Sequence, residues 1–406
     1  MKILLVNKFH YLKGGSEKYY FELGQLLKEH GHEVAYFSMK DERNITTGDR
    51  EYFVESIDLN NGSKLKALDV IYSKENAKLM GKALDEFKPD IVHLNNFQRQ
   101  LSASIIKPIK DRNIPIVFTA HDVQAICPAI TMIDSNKNIC EDCMHGHYIN
   151  AVKKKCIKDS TLKSVLGAIE SSYYRNHKIY FDKIDYIITP SKFYRDKFIE
   201  DGMNPSKIIA LHNSIDVNEY EVKTTDEGYA LYFGRLSKEK GILNLIDAFT
   251  KLDKGILHIA GEGPEMETIE KIIKDNDLNQ RVKMLGFLNN KEMKKEIQNC
   301  KFVVVPSIWY ENCPYSVLET LAVGKPIIGA NIGGIPELIN NNENGFTYKY
   351  DDTSDLADKM RKLFENEKVV NDFSKKSKEL AIEKYSREDY YKQIEKIYKD
   401  LLERSR

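Results

Sequence analysis

The chain has 406 residues, 42% of them apolar and 30% charged, with 61 Lys plus Arg against 61 Asp plus Glu. That length favours two domains with ordinary buried cores, and a formal net charge of zero argues against a dedicated nucleic-acid binder, which carries a basic excess. The apolar run Ile3 to Val6 is too short for a signal-peptide core, and no stretch reaches the roughly 18 apolar residues of a membrane span. A cytoplasmic protein is expected, its six cysteines reduced or bound to metal in preference to disulfide-bonded.

In chain order, Lys2–Val6 reads as a strand. Residues 16–30 follow at helical spacing through Tyr19, Tyr20, Leu23, Leu26 and Leu27, and Gly31 marks the C-terminal stop. Residues 34–37, Ile91–Leu94, 114–119 and Tyr186–Thr189 are further strands, rich in β-branched residues. Near-continuous apolar strands separated by helices predict a parallel sheet covered on both faces. The pattern restarts with strands at Tyr229–Phe233, Ile256–Ala260, 282–285, Phe302–Val305 and 327–329. Two α/β series predict two doubly wound, Rossmann-like domains, with the boundary in the polar stretch between Asn213 and Gly228. Ser386 to Asp389 fits a capping box, and Tyr390, Ile394, Ile397, Tyr398 and Leu401 form the apolar stripe of a last helix. The expected domains are 1–213, which includes a Cys-rich insertion at about 127–156, then 214–385, then the helix 386–406.

Ligands of open α/β sheets sit at the carboxyl ends of the strands. Gly14 and Gly15 fall between the first strand and the first helix, where backbone N–H groups can approach an anion. Arg235 and Lys240 follow the first strand of the second series, and two cations there suit a diphosphate. Glu311 lies in the loop after Phe302–Val305, and Glu319 in the helix beyond it. Carboxylates accept hydrogen bonds from neighbouring hydroxyls, as a sugar or ribose presents them. Gly333-Gly-Ile-Pro-Glu337 adds a glycine loop after another strand.

Taken in order, Arg235 with Lys240, Gly261-Glu-Gly-Pro264, Glu311-x7-Glu319 and Gly333 to Glu337 resemble the retaining glycosyltransferases of family 4, which have the GT-B fold. Gly14-Gly15 and His121-Asp122 extend the resemblance over almost the whole chain. It implies two Rossmann-like domains facing a central cleft, with the C-terminal helix crossing back to the N-terminal domain. It implies that Arg235 and Lys240 hold the donor diphosphate, Glu311 the sugar hydroxyls and Glu319 the ribose. Gly286, Phe287 and Leu288 would meet the base, and Gly263 belongs to a donor-binding motif. Asn312, Cys313, Pro314 and Tyr315 would turn backbone amides towards sugar or phosphate. Gly15, beside Gly14, would approach the phosphates from the other domain, and His121 would lie near the anomeric carbon. The donor would be a UDP- or GDP-sugar, the acceptor a glycan or lipid-linked molecule of cell-surface polysaccharide or glycoconjugate synthesis, and no catalytic metal would be needed. A nucleotide-sugar epimerase of the same fold and a non-catalytic zinc-dependent binding module are the competing readings. Neither accounts for the paired carboxylates together with both cations.

Cys127, Cys140, Cys143 and Cys156 form C-x12-C-x2-C-x12-C, a set that suits one structural zinc, with His145 and His147 as substitute ligands. Scattered thiols, a disulfide or an iron–sulfur cluster are the other readings. Lys153, Lys154, Lys155 and Lys158 precede a helical pattern through Leu162, Val165, Leu166, Ile169, Tyr173 and Tyr174. Such a helix either faces the core or meets an anionic membrane, which would put the protein at the inner face of the membrane.

Overall fold

The computed structural model describes residues 1–57, 66–223 and 225–405. They form two compact units: Met1–Leu211 together with Tyr391–Arg406, and His212–Tyr390. Unit 1 holds seven strands: β1 (Lys2–Val6), β2 (Glu33–Met39), β3 (Arg50–Val54), β4 (Ile91–Leu94), β5 (Ile116–Thr119), β6 (Tyr186–Thr189) and β7 (Ile208–Ala210). Their order is β3-β2-β1-β4-β5-β6-β7, and every pairing is parallel. Unit 2 holds β8 (Tyr229–Phe233), β9 (Ile256–Ala260), β10 (Val282–Gly286), β11 (Phe302–Val305), β12 (Ile327–Ala330) and β13 (Gly345–Tyr348). These run β10-β9-β8-β11-β12-β13, again all parallel. Each unit is therefore a doubly wound Rossmann-like sheet, as the alternating pattern predicts.

Chemistry explains the strands that the apolar pattern shows and those it hides. Ile91–Leu94, Ile116–Thr119, Phe302–Val305 and Ile327–Ala330 are buried at every position, so they read as nearly continuous apolar runs, broken only by His93 and Thr119 among the polar residues. β3, β7 and β13 carry no such signal: they are edge strands, and edge positions tolerate Arg50, Glu51 and Gly345. Helices start where side chains satisfy their first N–H groups. Ser73, Ser160 and Ser191 each cap one, and Asn289 with Glu292 forms a reciprocal capping box. At the last helix, Arg387–Ser405, Ser386 Oγ accepts from Asp389 N–H at 3.2 Å. Within unit 1, Tyr398 of that helix is fully buried and meets His93 Nδ1 of β4 at 2.5 Å, while Tyr391 stacks on His30. Among the described residues, no helix is long and apolar enough to cross a membrane.

Candidate functional site

In unit 2 the strand order reverses between β8 and β11, where β8 has β9 on one side and β11 on the other. Ligand crevices of open α/β sheets form at such reversals. The loops leaving both strands converge there. Gly241, at φ +68, ends the β8 loop, and a Cβ on it would lie 1.8 Å from the Pro306 carbonyl oxygen of the β11 loop. The Ile308 N–H also donates to the Glu239 carbonyl at 3.0 Å.

Glu311 is the centre of this loop pair. Only 7% exposed, its Oε1 accepts hydrogen bonds from Lys240 Nζ at 2.6 Å, Ser307 Oγ at 2.8 Å and Trp309 Nε1 at 2.8 Å. Burial raises the Glu311 pKa, but the Lys240 charge and the three donors outweigh it and hold the carboxyl below its usual value. The carboxylate is thus ionised and Lys240 is aimed at the switch point, its ammonium also 5.4 Å from the centre of the Trp309 ring. Arg235 stands exposed at the start of the β8 loop, with its carbonyl held by the Tyr232 hydroxyl. Its guanidinium has no ion pair among the described residues.

Behind Glu311 packs the β12 loop. Gly333, at φ +58, would place a Cβ 2.5 Å from the Glu311 carbonyl oxygen, and the Gly334 N–H donates to that oxygen at 2.7 Å. Glu337 at the end of this motif bonds His212 at 2.9 Å. The helix Tyr315–Val323 begins at Pro314 without a side-chain cap, so its positive end faces the same loops. Glu319 lies half-buried on that helix, and Asn312 is half-buried just before it. Cys313 is buried, its carbonyl bonded by Asn213 Nδ2 and its thiol pushed up to about 12 by burial, which makes it a packing residue. Gly263 packs against the Leu236 carbonyl, and Leu236 exchanges hydrogen bonds with Glu262 and Glu265. Phe287 follows β10 and is 74% exposed, beside half-buried Leu288. Ser307 and Trp309 were not singled out by the sequence, although their indole and hydroxyl donors complete the carboxylate's surroundings.

Unit 1 has its own reversal, between β1 and β4. His121 follows β5, the strand beyond β4, and reaches the residue after β4 with its Nε2 2.9 Å from Asn95 Oδ1, while its ring lies 4.7 Å from that of Tyr19. Burial holds its pKa at about 3, so the imidazole is neutral near pH 7. Lys8, just past β1, also has its pKa lowered by burial, opposed by the charge of Asp122. Gly14 and Gly15 are exposed at the start of the helix Gly15–Glu29, with Gly14 extended as its N-cap. The buried Glu17 carboxylate occupies that helix end, taking hydrogen bonds from Ser16 and Asn7, so part of its positive potential is already met.

All six cysteines are free thiols. Among the described residues no group of three or more His, Cys, Asp or Glu side chains is arranged to hold a metal ion, so the expected zinc is not evident in the side-chain positions. The local reason is visible at Cys140, whose sulfur accepts from Lys154 Nζ at 3.2 Å. The helix Thr161–Asn176 turns only part of its apolar stripe to the core: Tyr174 is buried and Val165, Leu166 and Tyr173 are half-buried. It buries Ser164, Gly167, Glu170, Ser171 and Tyr174, and leaves Leu162 77% and Ile169 50% exposed.

Residues 13–219 match the family model described as Glycosyltransferase Family 4, more than half of the chain, and residues 216–380 match Glycosyl transferases group 1. The chain belongs to glycosyltransferase family 4. The N-acetyl-alpha-D-glucosaminyl L-malate synthase of Bacillus anthracis is 23% identical over 96% of this chain and 94% of its own. The alpha-monoglucosyldiacylglycerol synthase of Acholeplasma laidlawii is 22% identical over 83% and 80%. Among solved structures, Anabaena HepE in complex with UDP superposes with a TM-score of 0.71 at 17% identity, covering 98% of this chain and 100% of that one. Sucrose-phosphate synthase from Thermosynechococcus elongatus gives 0.76 at 16% identity, covering 98% of each. This family 4 member is thus a glycosyltransferase of the GT-B type, and the loops around Glu311 lie within the residues matched by the group 1 model.

Proposed function

We propose that this glycosyltransferase is a retaining hexosyltransferase that moves a sugar from a UDP- or GDP-sugar to a glycan or lipid-linked acceptor in surface polysaccharide or glycoconjugate synthesis. The observation that carries the reading is the pairing of half-buried Lys240 with buried Glu311 at the switch point, beside the exposed Arg235. Departure of the nucleotide builds negative charge on the diphosphate. Arg235 and Lys240 would stabilise that charge in the transition state, which is where stabilisation accelerates chemistry. Glu311 holds Lys240 in place and offers its second oxygen to sugar hydroxyls. Glu319 serves the ribose, Phe287 and Leu288 the base, and the amide N–H groups of Asn312, Cys313 and Tyr315 the sugar or phosphate. His121, kept neutral by burial, can accept or donate one hydrogen bond near an acceptor without adding charge. A uridine donor is the first to test, because HepE is solved with UDP and with UDP-glucose, and TarM of S. aureus with UDP.

The test is thermal-shift screening with nucleoside diphosphates, followed by incubation with labelled UDP-sugars and NMR of the product anomer. Stabilisation by UDP with an α-linked product from an α-linked donor is expected. Inversion at that carbon removes the retaining mechanism, and isomerised donor with no transfer replaces the whole reading with an epimerase.

One observation favours a lipid surface as the place of action. The helix that exposes Leu162 and Ile169 is flanked by exposed Lys153, Lys155, Lys158 and Lys163, a basic rim around apolar side chains. Co-sedimentation with vesicles should rise with the anionic lipid fraction and fall with salt. Equal sedimentation with neutral and anionic vesicles discards the membrane contact.

A further inference from the structure

The Cys-rich segment of unit 1 is the one part of the site-bearing sequence that sugar transfer does not use. Its four cysteines come from four separate local structures. Cys127 ends the turn begun at Val123, and Cys140 closes a small hairpin in which Ile133 bridges Ile139 and the Cys140 N–H bonds the Met132 carbonyl. Cys143 follows three residues later, and Cys156 comes just after the short helix Ile149–Lys153, its N–H bonded to the Ala151 carbonyl. Residues spread over 30 positions nevertheless border one cavity, in which all four cysteines stand with Met132, Met144 and Ala151. His145 and His147 are exposed and are absent from its lining.

Two further observations bear on a cation. Between residues 127 and 160, seven non-glycine residues have positive φ: Ile130, Met132, Lys137, His145, Lys155, Lys158 and Asp159. They are half of the fourteen such residues described, and a β-branched Ile at φ +65 needs strong constraint from its surroundings. The apolar cluster available to supply it is small, made of Cys143, Tyr148 and Ala151 with Cys156 and Ala168 against them. The second is Lys154, which stands 3.2 Å from the Cys140 sulfur within a run of lysines and also pairs with Asp142 at 2.7 Å and Asp134 at 3.6 Å, so the cluster borders a charged network.

We propose that Cys127, Cys140, Cys143 and Cys156 bind one zinc ion as a structural tetrathiolate site. Binding replaces four thiol protons, which leave to solvent, by four Zn–S bonds, and the site carries a net charge of about −2, partly offset by Lys154. The side chains must turn inward from the rim of the cavity they already share, and Cys140 must exchange its contact with Lys154 for one with the metal. The site then fixes the turn that starts two residues after His121. The inference stands on these cysteines alone and does not need the transferase reading.

The test uses the untagged full chain, purified without added metal. Metal analysis by mass spectrometry should give one zinc per chain, and the Cys140→Ser/Cys143→Ser double variant should lose it. Because that variant could fail to fold, wild-type protein reconstituted with Co²⁺ supplies a second reading. Thiolate-to-cobalt charge transfer with intense tetrahedral visible bands is expected. Far less than one equivalent of zinc together with an octahedral cobalt spectrum overturns the proposal. So does a disulfide within the set found by mass spectrometry, or the absorption of an iron–sulfur cluster. UDP-induced thermal stabilisation is measured in the same preparation, so loss of the metal site and loss of the donor site register separately.

Discussion

Lys240 and Arg235 occupy opposite ends of one loop and different surroundings, and substitution separates them. Arg235 is exposed and unpaired among the described residues, so Arg235→Ala should change stability by no more than about 0.5 kcal/mol while kcat falls about 10²–10³-fold. Lys240→Ala should lower kcat similarly and also leave the buried Glu311 carboxylate without its counter-charge, costing about 3 kcal/mol by denaturant unfolding. The only tryptophan, Trp309, donates to that same carboxylate, so its fluorescence reports unfolding of unit 2 and the arrival of a ligand beside Glu311. Equal stability of the two variants would remove the supporting role given to the Lys240–Glu311 pair. In unit 1, His93 and His121 are both held at about 3, chiefly by burial. Unfolded histidine titrates near 6.5, so between that value and about 3 the unfolded chain binds more protons, and stability is full above 6.5 and lost as pH falls. At pH 5 the loss is about 2 kcal/mol per histidine relative to pH 7.5. His93→Gln should flatten that dependence, and an unchanged slope would show that His93 is not held neutral. The sequence names Lys240, Glu311 and His121 as chemistry, because charge and spacing are visible there. It does not show that Glu311 is satisfied by Ser307 and Trp309, since an indole N–H and a hydroxyl carry no signal until the loop closes on itself.

Glycine loops hold these side chains in register, and two of them fix the arrangement more strictly than flexibility alone would. Gly241 and Gly333 combine positive φ with backbone atoms of Pro306 and Glu311 inside the volume of any added Cβ. Gly333→Ala should therefore destabilise unit 2 by more than the roughly 1 kcal/mol of an ordinary glycine substitution, and should weaken UDP-induced thermal stabilisation by displacing Glu311. A variant with wild-type stability and wild-type UDP response would sink that account. Strands buried on both faces, such as Phe302–Val305, were legible from their nearly continuous apolar runs. The edge strands Arg50–Val54, Ile208–Ala210 and Gly345–Tyr348 were not, because one open side permits charge, brevity or glycine. The helix Thr161–Asn176 shows a different limit. Its period was readable, but which face is buried depends on a partner surface that accepts Ser164, Gly167 and Ser171 more closely than it would accept leucine.

Chain connectivity sets how the molecule can be divided. Unit 2 is one continuous stretch, His212–Tyr390, whereas unit 1 is built from Met1–Leu211 and Tyr391–Arg406. The returning segment is part of the unit 1 core: Ile394 and Tyr398 are fully buried, and Tyr391, Ile397 and Leu401 are nearly so. Leaving it out uncovers these apolar surfaces' partners and strips the Tyr398 hydroxyl from His93, a fully buried imidazole. Burying side chains of this size contributes roughly 1.5–3 kcal/mol each, so five of them match the whole stability of a typical domain. The fragment 212–390 should therefore fold alone, with cooperative urea unfolding seen by Trp309 fluorescence. The fragment 1–211 should stay unfolded or aggregate, and should recover cooperative unfolding when residues 391–406 are joined to its C-terminus through a flexible linker. Cooperative folding of 1–211 without that segment would mean that the last helix merely covers a core already complete. In that case Tyr398→Phe in the full chain should leave unit 1 stability unchanged, whereas the packing seen here requires it to fall by about 1 kcal/mol or more, because His93 loses a buried hydrogen bond.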